Sequence, residues 1–117
     1  EMRLLSHPAV VDNVPTCANQ EDYVNMGYNA ARKACDAVET ARYILAIELI
    51  CAAQAKEFYP ADQSSPAIEA VYAKIREVMP PLNEDAALEP YIEAVQNLIL
   101  EGEILKAVQN AGVDVKL

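Results

Sequence analysis

The feature that most constrains the fold is a proline-free stretch from Glu21 to Tyr59, which ends at Pro60. A helix over residues 21–59 would be about 58 Å long, whereas a compact chain of this length is about 35 Å across. We therefore expect the helix to pack against protein outside these 117 residues. Small and apolar residues recur along it at three- and four-residue steps, which is typical of one helix face: Ala30, Ala34, Val38, Ala41, Leu45, Leu49 and Ala52.

The second half of this stretch has no polar face. From Tyr43 onward, apolar side chains cover every direction of a helical projection: Ile44, Leu45, Ile47, Leu49, Ile50 and Cys51. Such a pattern indicates a helix that is buried all round, so we assign it to the core of a multi-helix bundle. Glu48 lies in this half and is more readily explained as a paired structural acid than as a functional carboxylate.

The sequence predicts an all-α chain with three parts, because no alternating run of β-branched residues is present. Residues 1–20 contain Pro8 and Pro15 and are predicted to form an extended segment that carries a candidate site motif. Residues 21–59 form the long bundle helix, and residues 60–117 form shorter helices. Because the chain begins at Glu1 rather than at methionine, we expect it to be a piece of a longer polypeptide.

Local signals place the shorter helices. Ser65 followed by Pro66 predicts a capped helix start, and this helix should run to Met79. A further helix is predicted to begin near Pro90. Gly102 should separate it from a last helix over residues 103–110, which Gly112 closes.

Charge and hydropathy exclude several function classes. The net charge is −9, from 9 basic and 18 acidic side chains, without a basic cluster that could neutralise phosphates, so nucleic acid is not an expected partner. No run reaches the roughly 18 consecutive apolar residues that a membrane span needs.

The three cysteines and the single histidine suggest neither a disulfide framework nor a metal site. Cys35 and Cys51 are about 24 Å apart on one helix, and only Cys17 and His7 remain as further candidates. This usage favours a reducing cytoplasm. His7 precedes Pro8 and could donate a proton, but a loop histidine is the simpler interpretation.

The run from Asn19 to Asp22 is the main candidate site. Asn19 is a plausible N-cap for the long helix, and Glu21 and Asp22 would then lie in its first turn, where the helix dipole favours acids. Spacing alone therefore favours a helix-capping role for Glu21. It is nevertheless the acid with the strongest claim to chemistry, because a side chain at a loop-to-helix junction can point into a cleft.

A longer set of residues resembles the C-terminal part of the histidine ammonia-lyase family. The set extends more loosely through residues 64–65 and 88–93, so the resemblance covers most of the chain. It comprises Ser6-His7-Pro8-Ala9, Asp12-Asn13-Val14-Pro15-Thr16, Asn19-Gln20-Glu21-Asp22, Val24, Met26-Gly27, Ala31-Arg32 and Leu45-Ala46-Ile47-Glu48-Leu49.

This resemblance implies an enzyme that eliminates ammonia from histidine or another aromatic amino acid. Such enzymes use an electrophilic group, 4-methylidene-imidazole-5-one (MIO), which forms from an Ala-Ser-Gly triplet that these 117 residues lack. The resemblance also implies a helical homotetramer whose active sites draw residues from three subunits. Alone, the chain should be inactive, because its partners would include the missing N-terminal part of the same enzyme.

By the same resemblance, Glu21 corresponds to the acid beside substrate and cofactor in the histidine-specific enzymes. The phenylalanine and tyrosine lyases tend to have Gln there, so Glu21 favours histidine, which would give urocanate and ammonia. The carboxylate would accept a hydrogen bond from the imidazole or take part in proton transfer. Gln20 and Asn19 would support the substrate or the electrophile by hydrogen bonds.

Three positions depart from the histidine enzymes. Tyr23 and Asn25 replace the usual His and Ser, and Cys17 replaces a common Ser. Tyrosine or phenylalanine ammonia-lyase and tyrosine 2,3-aminomutase therefore stay open as alternatives, as does a non-catalytic helical module that only mediates oligomerisation.

Overall fold

The computed structural model describes residues 1–12, 14–59 and 64–115. Within these ranges the chain has no strand, only an isolated antiparallel bridge between Thr16 and Glu21. The all-α prediction is confirmed. The helices are α1 (Met2–Leu5), a 3-10 turn (Ala9–Asp12), α2 (Gly27–Lys56), α3 (Pro66–Arg76), α4 (Glu89–Leu100) and α5 (Glu103–Asn110).

The long helix exists, but it begins six residues later than the sequence predicts, at Gly27 instead of Glu21. Asn19 is not its N-cap, because its backbone is left-handed, with φ of 68°. Asn25, one residue before the N-cap position, satisfies the first backbone N–H of the helix: its side-chain Oδ1 accepts a hydrogen bond from Gly27 at 2.8 Å. At the other end, α2 stops at Lys56 and the chain continues in turns to Tyr59.

Residues 1–12 are not extended, contrary to the prediction for residues 1–20. They form α1 and the 3-10 turn, and the hydroxyl of Ser6 donates to the backbone carbonyl of Arg3 at 2.8 Å just beyond α1. The Lys33 ammonium of α2 donates to the backbone carbonyl of His7. Proline disfavours the helical conformation only at the residue before it. A short helix that ends at Leu5, before His7, is therefore compatible with Pro8.

Contacts divide the chain into two compact units, Glu1–Ala41 and Arg42–Leu117. The hydrophobic core belongs to the second unit, where α2 supplies Ala46, Ile50 and Ala53. Ile75 of α3, Met79 just after it and Val95 of α4 complete the buried cluster. Helix α5 packs against α3 and α4. Among the described residues, no helix combines the length and hydropathy needed to cross a bilayer.

The three C-terminal helices follow their predicted signals closely. Ser65 caps α3, its Oγ accepting from the backbone N–H of Ile68 at 3.3 Å, and Pro66 is the first helical residue. Gly102 lies between α4 and α5 with φ of 73°, and Gly112 follows α5 with φ of 84°. Both need the left-handed conformation that glycine adopts without strain. Helix α3 ends at Arg76, three residues before Met79.

The apolar half of α2 is only partly covered by this chain. Ala46 and Ile50 are buried, but Ile44, Leu45 and Ile47 are 49%, 50% and 39% exposed. Glu48 is exposed as well, so the sequence-based expectation of a buried acid does not hold within this chain. An apolar surface of this kind on a helix indicates a site for packing against further protein.

Candidate functional site

A six-residue loop in the first unit brings the predicted site residues together. Thr16 and Glu21 form two backbone hydrogen bonds with each other. The Thr16 N–H donates to the Glu21 carbonyl at 2.9 Å, and the Glu21 N–H donates to the Thr16 carbonyl at 3.2 Å. Inside this pair, the Gln20 N–H donates to the Cys17 carbonyl at 3.2 Å. The loop is thus a four-residue connection closed by one hydrogen-bonded antiparallel pair.

Three consecutive residues of this loop have positive φ, although none is glycine. Cys17, Ala18 and Asn19 have φ of 52°, 54° and 68°. In this region the Cβ atom crowds the backbone carbonyl, and only asparagine and aspartate tolerate it fairly well. Backbone strain of this kind is concentrated at functional sites and turns, where the surrounding contacts maintain it.

The loop gives Glu21 a different position from the one that the sequence suggests. It lies in the closing pair of the loop, and α2 starts only at Gly27. The dipole of α2 acts mainly on its own first turn, so it does not account for an acid at residue 21. The simple helix-capping explanation for Glu21 is therefore wrong.

Asn19, Gln20 and Glu21 are all exposed in this chain. Two side-chain amides and a carboxylate thus follow one another on a loop whose backbone is closed by hydrogen bonds. The amides can donate and accept hydrogen bonds, and an ionised carboxylate only accepts. This set can orient a polar ligand and exchange a proton with it. The described residues hold no cluster of His, Cys, Asp and Glu suited to a metal ion.

Asn25 stabilises the start of α2, and this role was not predicted from the sequence. Its side chain accepts the first backbone N–H of α2, that of Gly27, and so stabilises the point where the loop segment ends and the helix begins. Asparagine and serine both offer a side-chain oxygen that can accept a backbone N–H two residues on, so Asn25 can perform this role of a serine. The signal was available, because an asparagine two residues before Gly27 is a recognisable helix start.

His7 and Glu48 lie outside this loop. His7 lies beside α1, and the hydrogen bond it receives from Lys33 is made by its backbone carbonyl. Glu48 is exposed on α2 and belongs to the second unit.

The second unit contains an open groove of about 630 Å³ between α2, α3 and α5. Its size would suit a ligand, but two of its few polar side chains, Lys56 and Tyr72, are already engaged with neighbouring carboxylates. Lys56 Nζ is 2.7 Å from Glu69 Oε1 and 4.6 Å from the centroid of the Tyr72 ring. The Tyr72 hydroxyl donates to Glu57 Oε1 at 2.6 Å. The remaining lining is mostly aliphatic, so the groove is better suited to packing than to chemistry.

Comparison with known families adds an independent observation. The family described as aromatic amino acid lyase matches residues 1–77, which include the whole loop and α2. Histidine ammonia-lyase from Symbiobacterium thermophilum is 50% identical over 109 residues, covering 93% of this chain and 22% of that protein. The histidine ammonia-lyase of Caenorhabditis elegans is 45% identical over 108 residues, or 92% of this chain and 16% of that protein.

Solved structures of two different enzymes share the fold. Histidine ammonia-lyase from Trypanosoma cruzi superimposes with a TM-score of 0.83 at 36% identity, covering 93% of this chain and 22% of that one. Tyrosine aminomutase from Streptomyces globisporus gives a TM-score of 0.84 at 34% identity, covering 94% and 21%. The chain thus spans about a fifth of the length of these relatives.

Proposed function

The chain belongs to the aromatic amino acid lyase family, and from this premise we propose that it is the C-terminal segment of a histidine ammonia-lyase. The complete enzyme would convert L-histidine to urocanate and ammonia. Two observations support the proposal: the relatives named histidine ammonia-lyase are up to 50% identical, and Glu21 lies on a closed loop outside any helix. The loop is the main support, because Glu21 lies outside α2 and does not cap it.

In this proposal Glu21 is the catalytic residue that the chain contributes. Its carboxylate accepts the N–H of the substrate imidazole or takes up a proton during elimination. Such a role requires contact within hydrogen-bonding distance, and an exposed carboxylate at the end of a loop can provide it once the complete enzyme covers the site.

Gln20 and Asn19 are the proposed substrate-binding residues. Their amides lie next to Glu21 in the chain and can donate hydrogen bonds to the substrate carboxylate or to a carbonyl oxygen of the electrophile. Because three hydrogen bonds close the loop, the backbone that carries these amides is already ordered before a substrate binds.

The proposed cofactor is MIO, which supplies the electrophile that activates the amino group of the substrate for loss. The Ala-Ser-Gly triplet that forms it is absent from the 117 residues, so another part of the enzyme must carry it. The donors of this chain are compatible with the group, because Asn19 and Gln20 both offer amide N–H groups to an imidazolone oxygen. On this basis, the chain alone is inactive.

The proposed partners are the remainder of the same enzyme and further subunits, in a tetramer. The exposed apolar residues Ile44, Leu45 and Ile47 on α2 support this, because side chains of this kind gain stability when other helices cover them. We place the enzyme in the cytoplasm, since Cys17, Cys35 and Cys51 are exposed free thiols.

Tyrosine 2,3-aminomutase is a second candidate, and the likeness to the Streptomyces globisporus enzyme at a TM-score of 0.84 favours it. A tyrosine or phenylalanine ammonia-lyase would bind a six-membered carbon ring in place of imidazole, and such a ring has no N–H group to donate to a carboxylate at residue 21. Product analysis of the complete enzyme with histidine, tyrosine and phenylalanine distinguishes these activities. The family match favours all of them over a non-catalytic oligomerisation module.

The test is Glu21→Gln in the complete enzyme, with urocanate formation from histidine as the readout. Glutamine has nearly the same size but cannot accept a proton, so we expect kcat/KM to fall by about 100-fold or more. Glu39→Gln is the matched control, because Glu39 is an exposed acid on α2. If Glu21→Gln turns over histidine as fast as the Glu39→Gln control, the role assigned to Glu21 is wrong.

A further inference from the structure

The left-handed turn before Glu21 is unusual because alanine is at its centre. The turn from Cys17 to Gln20 has positive φ at both central residues, Ala18 and Asn19. Turns of this type normally use glycine, asparagine or aspartate there. Asn19 fits that preference, whereas Ala18, with φ of 54°, does not.

Two of the three hydrogen bonds that hold this loop involve the backbone of Glu21 itself. Both the N–H and the carbonyl of Glu21 bond to Thr16, and the Gln20 N–H bonds to Cys17. A change of Ala18 to negative φ would redirect the chain inside the loop and break this pairing. The position of the Glu21 side chain therefore depends on the backbone conformation of Ala18.

We propose that Ala18 is a positioning residue, whose left-handed backbone fixes Glu21 for its reaction. The inference rests on the proposed function of Glu21. Residue 18 acts through its φ value and makes no contact with the substrate. It follows that the tolerance of residue 18 to substitution depends on how well the new residue adopts positive φ, and not on its size.

Two variants of the complete enzyme separate these effects. Asparagine and valine have similar size, but asparagine adopts the left-handed region readily and β-branched valine does not. We expect Ala18→Asn to keep kcat/KM for histidine within about threefold, whereas Ala18→Val lowers it about tenfold or more through misplacement of Glu21. Native mass and melting temperature establish that both variants assemble. Equal losses in the two variants would show that bulk matters, and this would overturn the inference.

A double-mutant cycle with Glu21→Gln supplies the second test. If Ala18 acts only through Glu21, Ala18→Val has little further effect once the carboxylate is gone. The same tenfold loss in both backgrounds would overturn the inference and leave the role of Glu21 intact. A Glu21→Gln single variant with full activity would instead overturn the proposed function. Hydrogen exchange at the Thr16 and Glu21 amides should accelerate in Ala18→Val and stay slow in Ala18→Asn, and unchanged exchange in Ala18→Val would also contradict the inference.

Discussion

The Tyr72 hydroxyl donates a 2.6 Å hydrogen bond to Glu57 Oε1 and thereby joins α3 to the residues just after α2. Arg76 binds the same carboxylate oxygen through Nε at 2.9 Å, and its Nη2 donates to the Ala53 carbonyl at 2.9 Å. The Tyr72 ring also has Lys56 at 4.6 Å and Arg76 at 5.2 Å from its centroid. These contacts lie at the rim of the core of the second unit and fix the end of α2 against α3.

The Tyr72 hydroxyl is the main cause of a lowered pKa at Glu57, and the hydrogen bond and charge of Arg76 lower it further. Partial burial opposes the shift. Because the folded state holds this carboxylate ionised more readily than the unfolded chain does, the resulting stability is present above the ordinary glutamate pKa. It is lost as the pH falls through the lowered pKa of the folded state.

We therefore expect Glu57→Gln to reduce the acid sensitivity of the fold. As the pH falls below the ordinary glutamate pKa, the melting temperature of the unaltered protein should drop more steeply than that of Glu57→Gln, because the variant has no carboxylate to protonate. Glu69 and Glu103 also have lowered pKa values, caused mainly by hydrogen bonds from Lys56 and Lys106, so part of the slope remains. Identical slopes for Glu57→Gln and the control Glu39→Gln would contradict this assignment.

Loss of the α2 cap should loosen the first turn of the helix. Asn25→Ala removes the acceptor for the Gly27 N–H, which costs about 1 kcal/mol, and Asn25→Ser keeps an acceptor oxygen. Hydrogen exchange of the complete enzyme is the measurement, and residues 27–30 should exchange about fivefold faster in Asn25→Ala, if local opening controls exchange there. Faster exchange in Asn25→Ser by the same factor would show that the side-chain oxygen is not the cap.

Gly27 is restricted by this same cap. A Cβ atom on Gly27 would lie 2.9 Å from Asn25 Oδ1, so Gly27→Ala forces the cap to shift even though alanine is the better helix former. We expect Gly27→Ala to destabilise the first turn in the presence of Asn25 and to stabilise it by up to about 1 kcal/mol in an Asn25→Ala background. If Gly27→Ala changes hydrogen exchange of the first turn equally with Asn25 and in the Asn25→Ala background, this steric coupling is excluded.

Local chemistry made the C-terminal helices predictable, and the start of α2 shows where it fails. Ser65-Pro66 favours a capped helix start, Gly102 permits the left-handed residue that separates two helices, and the structure has both. Asn19 and Asn25 are equally good caps by propensity, six residues apart in the chain. The choice between them is made by the left-handed backbone at residues 17–19, and nothing in Cys or Ala predicts positive φ.

The candidate site was predictable as a set of residues but not as a geometry. The run from Asn19 to Glu21 could be identified from its polar groups and its resemblance to a known family. Its closed loop depends on backbone pairing between Thr16 and Glu21, for which the side chains carry no signal. The exposure of Leu45 agrees with the prediction that the long helix packs against protein outside the 117 residues.

The apolar surface of α2 provides the last test, which concerns assembly rather than chemistry. Leu45 is 50% exposed in this chain, and the proposed function requires that other helices cover it. Leu45→Asp would place an unpaired carboxylate in that contact, so we expect the complete enzyme to lose its tetramer and its activity together. Asn29→Asp introduces the same charge at an exposed polar position of α2 and should preserve the native mass. A Leu45→Asp protein with an unchanged native mass and melting temperature would show that this face stays in water, and the bundle assignment for α2 would then be wrong.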